Sequence, residues 1–581
     1  MASTGFLSAF PPVPTEEWDS AIRASVAGRD YPAKLIWHPE EGLAVRPYYR
    51  AEDIRDLGFL ESAPGEFPYV RGAHATGDWR IREEIEAANP EEANRLAIEA
   101  IAAGTGEIAF CGARIESPSD VALMVANLSG VPVRFHGMSH QSTRMAADWF
   151  SALQKGGEVS ADVDPLAHPE FSAELLCASM PGLRMFTISA ENYEEKGFGA
   201  IEQIAFTLSA AVEFLDSMLE RGVSIPRATG GLCFSFAIGP GFFVEIAKLR
   251  AFRLAWARVV ESFKGDALDA KATIYARTAH WNETVYDPHV NILRTTMEAM
   301  SAILGGAESL SVNPFDNCYR RPDEASRRLA RNVQLILKRE ACLARVADPL
   351  GGAYVIEAMT NTIAIQAWKL FQEIEAAGGY HKTKADGVIQ TALDRRAAER
   401  DKSASHRRLV LTGTSHFANP SEKALSPIDI HCVDRGERVA RSFEEMRFRT
   451  ERKAISGNLP KIVLAEFGDA KMRGARAQFT ADFLACVGLP AQIRCVESPI
   501  DLTATDADLI VLCSSDSEYL PFAEALMLML KKDGPGPIVA VAGSPDNREE
   551  LESLGIAEFI HLRSDAIEVL TRLQRKLGIE D

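Results

Sequence analysis

Asn89-Pro90-Glu91-Glu92-Ala93-Asn94-Arg95-Leu96-Ala97-Ile98-Glu99-Ala100-Ile101-Ala102-Ala103-Gly104-Thr105-Gly106-Glu107-Ile108-Ala109-Phe110-Cys111 carries the pattern that sets the architecture. Asn89 is an N-cap candidate and Pro90 suits a first helical turn. Glu91 and Glu92 favour the positive end of the helix dipole. Ala93, Leu96, Ala97, Ala100 and Ile101 then recur at helical spacing, and Gly104 stops the run. Glu107–Cys111 follows as a short strand of the buried type. A helix feeding an apolar strand is the unit of a parallel α/β fold, because parallel strands need a crossover between them.

The unit recurs outward from there. Strands are predicted at Val131–Phe135, Met185–Ser189, Leu232–Phe236 and Ala272–Ala276. The clearest helix is Phe243–Phe263, with Ile246, Leu249, Trp256, Val260 and Phe263 inward. Alternation over residues 61–395 fits an eight-stranded (β/α)8 TIM barrel. Phe110, Phe135, Phe186, Phe234, Phe236 and Tyr275 lie on these strands, and some of them are expected to fill the lumen. Residues 1–60 read as an extended arm with one helix and the anchors Trp18, Tyr31, Trp37, Tyr48 and Tyr49. These pack on a partner or on the following domain. Residues 396–459 are dominated by Arg, Lys, Glu and Ser and read as a linker with a helix and a strand-like run, Leu409–Thr412. Residues 460–581 alternate five strands with helices: Ile462–Glu466, Gln492–Val496, Leu509–Cys513, Ile538–Ala542 and Glu558–Leu562. That is a flavodoxin-like doubly wound domain.

Composition narrows the class. A chain of 581 residues exceeds one hydrophobic core. The net charge of −18, with no long basic stretch, argues against nucleic acid and acidic membrane surfaces as partners. Nine scattered Cys form no Cys-x-x-Cys pair, which fits a reduced, cytoplasmic protein. The N-terminal residues show neither a signal peptide nor a membrane span.

Several strings resemble the methylmalonyl-CoA mutase family. They are Phe67-Pro68-Tyr69-Val70-Arg71-Gly72, Gly199–Leu208, Phe242-Phe243-Val244-Glu245-Ile246-Ala247-Lys248-Leu249-Arg250, Leu293-Arg294-Thr295-Thr296, Ile303-Leu304-Gly305-Gly306-Ala307 and Asp348-Pro349-Leu350-Gly351-Gly352-Ala353-Tyr354. They occur in the family's order over roughly residues 60–581. The run Lys461–Arg476 resembles the family's cobalamin-binding loop, whose pattern is Asp, any residue, His, any two residues, Gly. The His is the lower axial ligand of cobalt.

The departures are as informative as the matches. The loop after Glu466 is one residue shorter between Gly468 and Gly474 and contains no His. Met472 is no substitute for an imidazole on cobalt. After Arg71-Gly72 the active family continues to a Tyr that lies against substrate and corrin; here the chain goes to Ala73-His74-Ala75-Thr76. The His that bonds the substrate thioester aligns with Gly239. Gln154–Ala167 is short and lacks the family's Gln-Asn-Asp string and the following carboxylate-binding Arg. The cofactor supplies radical chemistry, but the protein must orient it and exclude water. A dianionic acyl group also needs a bidentate Arg.

The pattern, including Trp281-Asn282-Glu283-Thr284-Val285-Tyr286-Asp287-Pro288, is similar to the family's small (beta) subunit in heterodimeric bacterial enzymes. The resemblance implies a structural subunit paired with a homologous large (alpha) chain. That chain carries adenosylcobalamin and interconverts methylmalonyl-CoA and succinyl-CoA. No catalytic, cofactor-binding or metal residue is assigned on the present chain. A diverged mutase active by itself, and a docking platform for the mutase G-protein chaperone, are the alternatives.

Other candidates have bland readings. His136 and His140 stand four apart after a strand, as metal ligands or as loop hydrogen-bonders. Gly230-Gly231 and Gly239-Pro240-Gly241 read as tight turns or a phosphate cradle. Gly534-Pro535-Gly536-Pro537 reads as a turn. Asp506, Asp508, Asp516 and Glu518 read as a solvated edge. Arg320, Arg321, Arg327 and Arg328 read as a surface helix face or a coenzyme-A phosphate contact.

Overall fold

The computed structural model describes residues 13–26, 30–39, 42–112, 115–137, 140–152, 158–178, 183–424, 438–503, 505–530 and 536–579. Eight parallel strands close into a barrel in chain order. They are β1 (Arg80–Glu86), β2 (Glu107–Cys111), β3 (Val133–His136), β4 (Val159–Val163), β5 (Leu183–Ser189), β6 (Leu232–Ile238), β7 (Ile274–Thr278) and β8 (Ser309–Ser311). β8 closes on β1 through Arg80↔Ser309 and Arg82↔Ser311. Eight parallel strands alternating with helices are the arrangement of a TIM barrel.

The helix Pro90–Ala102 begins as its sequence dictates, with the Asn89 side chain accepting from the Glu92 N–H at 2.9 Å. The helix Phe242–Ser262 covers β6: Phe234 packs on Phe252 and Trp256, and Phe236 on Phe252. β1, β4 and β8 have no counterpart among the predicted strands. β1 reads Arg-Ile-Arg-Glu-Glu-Ile-Glu, a charged surface to a hydrophobicity pattern.

The expectation of aromatic rings in the lumen needs correction. Phe110, Phe135, Phe186, Phe234 and Phe236 all belong to the apolar cluster between strands and outer helices, and Phe186 packs on Phe214 of the helix Ala200–Glu220. Tyr275 is the one of the six outside that cluster. The opposite parity of each strand faces the axis. The outer face must be apolar because helices cover it, so the large rings go there.

Before the barrel, the helix Thr15–Ser25 buries none of its residues. Trp18 and Trp37 are 44% and 47% exposed, while Leu43, Val45 and Tyr49 join the barrel's apolar cluster. Of the anchors, Tyr49 thus packs on the following domain, while Trp18 and Trp37 keep much of their surface exposed. After the barrel, Leu409–Thr412 is not a strand; its only pairing is a bridge, Thr412↔His416. The stretch predicted as a linker carries the end of the helix Val388–Ser405 and the helix Arg441–Ser456. Buried Arg438 and Glu444 pair there at 2.8 Å, and Phe443 and Met446 join the core of the last sheet. Residues 425–437 lie outside the described residues.

That sheet is parallel and ordered β10-β9-β11-β12-β13, with β9 (Ile462–Glu466), β10 (Ala491–Cys495), β11 (Leu509–Cys513), β12 (Ile538–Val541) and β13 (Glu558–Phe559). Ile462, Leu464 and Val511 face one apolar cluster, and Val463, Ala465 and Ile510 face another. Both faces are covered, as a parallel sheet requires.

Candidate functional site: the barrel axis and the sheet crevice

The barrel axis is crossed by a stack of side chains. The Arg134 guanidinium lies 4.4 Å from the Tyr275 ring centroid and that of Arg82 lies 5.4 Å from it. Arg134, Tyr275 and Arg82 are all buried. Arg134 donates to Thr187 Oγ1 at 2.9 Å and sits 3.5 Å from Asp162. His136 Nδ1 is hydrogen-bonded to Asp162 Oδ2 at 3.1 Å. Burial works to raise the Asp162 carboxyl, but the His136 hydrogen bond and the charges of Arg134 and Arg82 outweigh it and hold it at about 2. Burial pushes the Tyr275 phenol well above its ordinary value, so it stays neutral. A cavity of about 460 Å³ lies below the stack, lined by Arg80, Glu158, Arg184, Tyr275 and His74. A second of about 720 Å³ lies above it, lined by Arg82, Glu84, Arg277, His280 and Ser311.

Gly239, at the end of β6, faces a buried polar cluster. A Cβ there would overlap Glu194 Oε1 and come within 3.8 Å of Trp281 Nε1. Glu194 accepts from Trp281 Nε1 at 3.0 Å and from Gln203 Nε2 at 2.5 Å. Gln203 accepts in turn from Lys248 Nζ at 3.0 Å, and Lys248 also donates to the Ala237 carbonyl. An imidazole at position 239 would require the hydrogen-bonded Glu194 carboxylate to move. Glu194 was not singled out in the sequence, because nothing near it announces that it faces a residue 45 positions on.

The crevice between the loops after β9 and β11 is the place where an open α/β sheet takes a ligand, since the strand order reverses there. Here the two loops are joined. Ser514 Oγ lies 2.7 Å from the Phe467 carbonyl as well as beside Glu518, its one proton shared between the two acceptors. Glu518 accepts from Ser514 Oγ, Ser515 Oγ and the Asp469 N–H at 2.5, 2.6 and 3.2 Å. Those donors, Ser514 first, lower its carboxyl to about 2. Gly468, at φ +66°, abuts the Glu518 carboxylate, and any Cβ there would overlap it. Phe467 and Phe522 stack with centroids 3.8 Å apart. Asp469 is the N-cap of the helix Ala470–Ala485, accepting from the Met472 N–H at 2.8 Å. Counted from Asp469 to Gly474, the segment keeps the six-residue spacing of the Asp-to-Gly pattern it resembles. It places exposed Lys471, rather than Met472, at the His position.

The remaining candidates disperse. His136 is tied to Asp162, and the side chain of His140 lies outside the described residues, as do Met138 and Ser139. Among the described residues no group of three or more His, Cys, Asp or Glu could hold a metal. Gly230 ends the short helix Ile225–Gly230, Gly231 packs against Leu176, and Gly241 is the N-cap of the helix Phe242–Ser262. Lys461 pairs with Asp506 and its N–H bonds Asp508, while Arg476 holds Asp516 at 2.8 Å. Arg320 pairs with Asp316, Arg321 donates to the Glu86 carbonyl, Arg327 donates to the Pro322 carbonyl, and Arg328 is exposed. Gln154–Gly157 and Gly534-Pro535 lie outside the described residues.

Comparison with known proteins adds a second line. A family model described as methylmalonyl-CoA mutase matches residues 38–114 and 140–480. A Porphyromonas gingivalis chain named methylmalonyl-CoA mutase small subunit is 34% identical over 614 aligned residues, 98% of each chain. A small subunit from Streptomyces virginiae is 32% identical over 615, again 98% of each. The Streptomyces virginiae large subunit is 29% identical over 495 residues, 75% of this chain and 66% of that one.

Proposed function

The chain belongs to the methylmalonyl-CoA mutase family, and from that premise we propose that it is the non-catalytic structural subunit of an adenosylcobalamin-dependent methylmalonyl-CoA mutase. The observation that carries this reading is Gly239 against Glu194: the place where the fold would put the family's thioester-binding His is taken by a hydrogen-bonded carboxylate. The sheet crevice supports it. Cobalamin does not fit the residues present, since Lys471 stands in the axial-ligand position and Glu518 staples the loops the nucleotide tail would part. No catalytic step is therefore assigned to this chain.

In this reading the partner is a homologous large subunit, which holds the cofactor and isomerises methylmalonyl-CoA and succinyl-CoA. Residues 61–395 form the degenerate mutase barrel and residues 460–581 a flavodoxin-like domain, a reading that its 2-1-3-4-5 strand order supports. Residues 1–60 form the partner arm, and Trp18 and Trp37 are the exposed anchors it offers. Buried and exposed free thiols alike among the described cysteines fit a reducing cytoplasm.

The test is the visible spectrum of the purified chain after incubation with adenosylcobalamin, followed by an isomerase assay. The expected outcome is a colourless, inactive protein. Micromolar corrinoid binding with turnover by this chain alone overturns the proposal. In a co-expressed pair, deleting residues 1–50 is expected to release free large subunit, because an obligate interface exceeding about 2,000 Å² depends on such aromatic anchors. Full stoichiometry after the deletion removes the arm from the interface.

A further inference from the structure

Beyond the structural role, we propose that the cavity at the C-terminal mouth of the barrel binds a small oxyanion, the phosphate or carboxylate group of a free metabolite. The evidence is the hydrogen-bonding capacity that the protein leaves unused there. Arg82 lines the cavity, is 2% exposed, and spends Nη2 on the Ala276 carbonyl. Its Nε and Nη1 are buried without a partner. Arg277 Nε, Arg331 Nε and His280 Nε2, from residues lining the same cavity, are likewise buried and unpartnered.

The buried unpartnered side-chain atoms on this lining are all nitrogens. Its inward carboxylates are engaged: Glu83 with Thr105 and Arg331, Glu84 with Ser311 and Arg277, and Glu195 with the N–H groups of His280 and Trp281, while Glu99 pairs with Arg95 and Glu86 and Glu324 lie exposed at the rim. No carboxylate oxygen of the lining stands among the unpartnered atoms of the described residues. His280 Nδ1 is held by Glu283 Oε2 at 2.8 Å. Burial opposes the charged imidazole, but Glu283 and Glu195 outweigh it and raise its pKa, which favours a proton on Nε2 as well. Guanidinium and imidazolium N–H groups match the lone pairs of an oxyanion. Ile85, Leu96 and Val312 line the same space and accommodate a short apolar body. The lower cavity differs: its one unpartnered buried side-chain atom is an acceptor, Glu308 Oε1.

The experiment is calorimetric titration and thermal unfolding of the full chain at ionic strength fixed with sodium chloride. The probes are inorganic phosphate, glutarate and the uncharged glutaramide. Saturable binding of at least one anion is expected, with a Tm that climbs with its concentration, and none of glutaramide. Binding of phosphate alone assigns a phosphate-bearing metabolite, and of glutarate alone a carboxylate. Arg277→Gln, at the partly exposed mouth, is expected to weaken the anion about tenfold or more. If that variant does not fold, Arg331→Gln carries the same comparison. Absence of saturable binding by either anion overturns the proposal and leaves water as the partner of these donors. Affinity unchanged in the folded variant overturns it equally.

Discussion

The barrel axis and the crevice of the five-stranded sheet are both obstructed, yet at different depths. In the barrel the obstruction is core. Arg134, Tyr275 and Glu194 are buried, and each is held by partners that are themselves buried. In the sheet it is a rim. Glu518 is only partly buried and is held by two serine hydroxyls and a loop N–H. The difference teaches that a parallel barrel has no cheap way to shut. Its axis is lined on every strand, so blocking it means building charge into the interior and satisfying it. A crevice between two loops shuts with one carboxylate.

The comparison is broken most readily at Gly239. Gly239→His forces a ring onto Glu194 and is expected to cost about 3 kcal/mol or more, through overpacking and disruption of a buried polar cluster. Urea unfolding measures it. A variant as stable as the parent would show that the cluster is movable and the barrel's closure shallow. Tyr275→Ala comes next, at about 3 kcal/mol, since it removes a buried ring from between two guanidinium groups. Its crystal structure would show whether the upper and lower cavities merge.

Acid sharpens the contrast. The folded Asp162 carboxyl stands at about 2, below its ordinary 3.8. A depressed carboxyl stabilises the fold fully above the unfolded value and loses that contribution as pH falls through the folded one. Asp162 is partly exposed, so the contribution is on the order of 1 kcal/mol. A plot of Tm against pH should fall more steeply between roughly pH 4 and pH 2 in the parent than in Asp162→Asn. Parallel curves would remove Asp162 from the account. The smallest effect is expected in the sheet, where Glu518→Ala should cost under about 1 kcal/mol and leave the chain unable to bind cobalamin, because no His replaces Lys471. A loss as large as that of Gly239→His would erase the distinction between the two regions.

The sequence made the apolar strands legible. β2, β9 and β11 occur at the predicted residues, and the other predicted strands of the barrel and the last sheet are displaced by a few residues at one or both ends. Hydrophobic runs punctuated by turns carry that signal. β1 was not legible for the same reason: its charges point into a lumen, where periodicity cannot distinguish them from charges in water. The rings of Phe110, Phe135, Phe186, Phe234 and Phe236 were assigned to the correct strands and, in part, to the wrong side. Alternation separates two faces without naming them, and the polar parity of the same strands, with Glu107, Arg134 and Ser235, was the available clue. The losses at positions 239 and 471 could be read against the family. What replaced them could not, because Glu194 and Glu518 arrive from other loops.

Glu194 has a consequence for what position 239 can hold. Its carboxylate now serves Trp281 and Gln203, with Lys248 at 3.8 Å, and Trp281 lies beneath Arg400 and accepts from the Val439 N–H, tying the barrel mouth to the segments that follow. Placing a histidine at position 239 requires the Glu194 carboxylate to move first. Its departure strands those buried donors and loosens that tie. A single substitution at either position of this pair thus leads downhill in stability. Position 239 is thus held as glycine by neighbours whose hydrogen bonds occupy the space a side chain there would need.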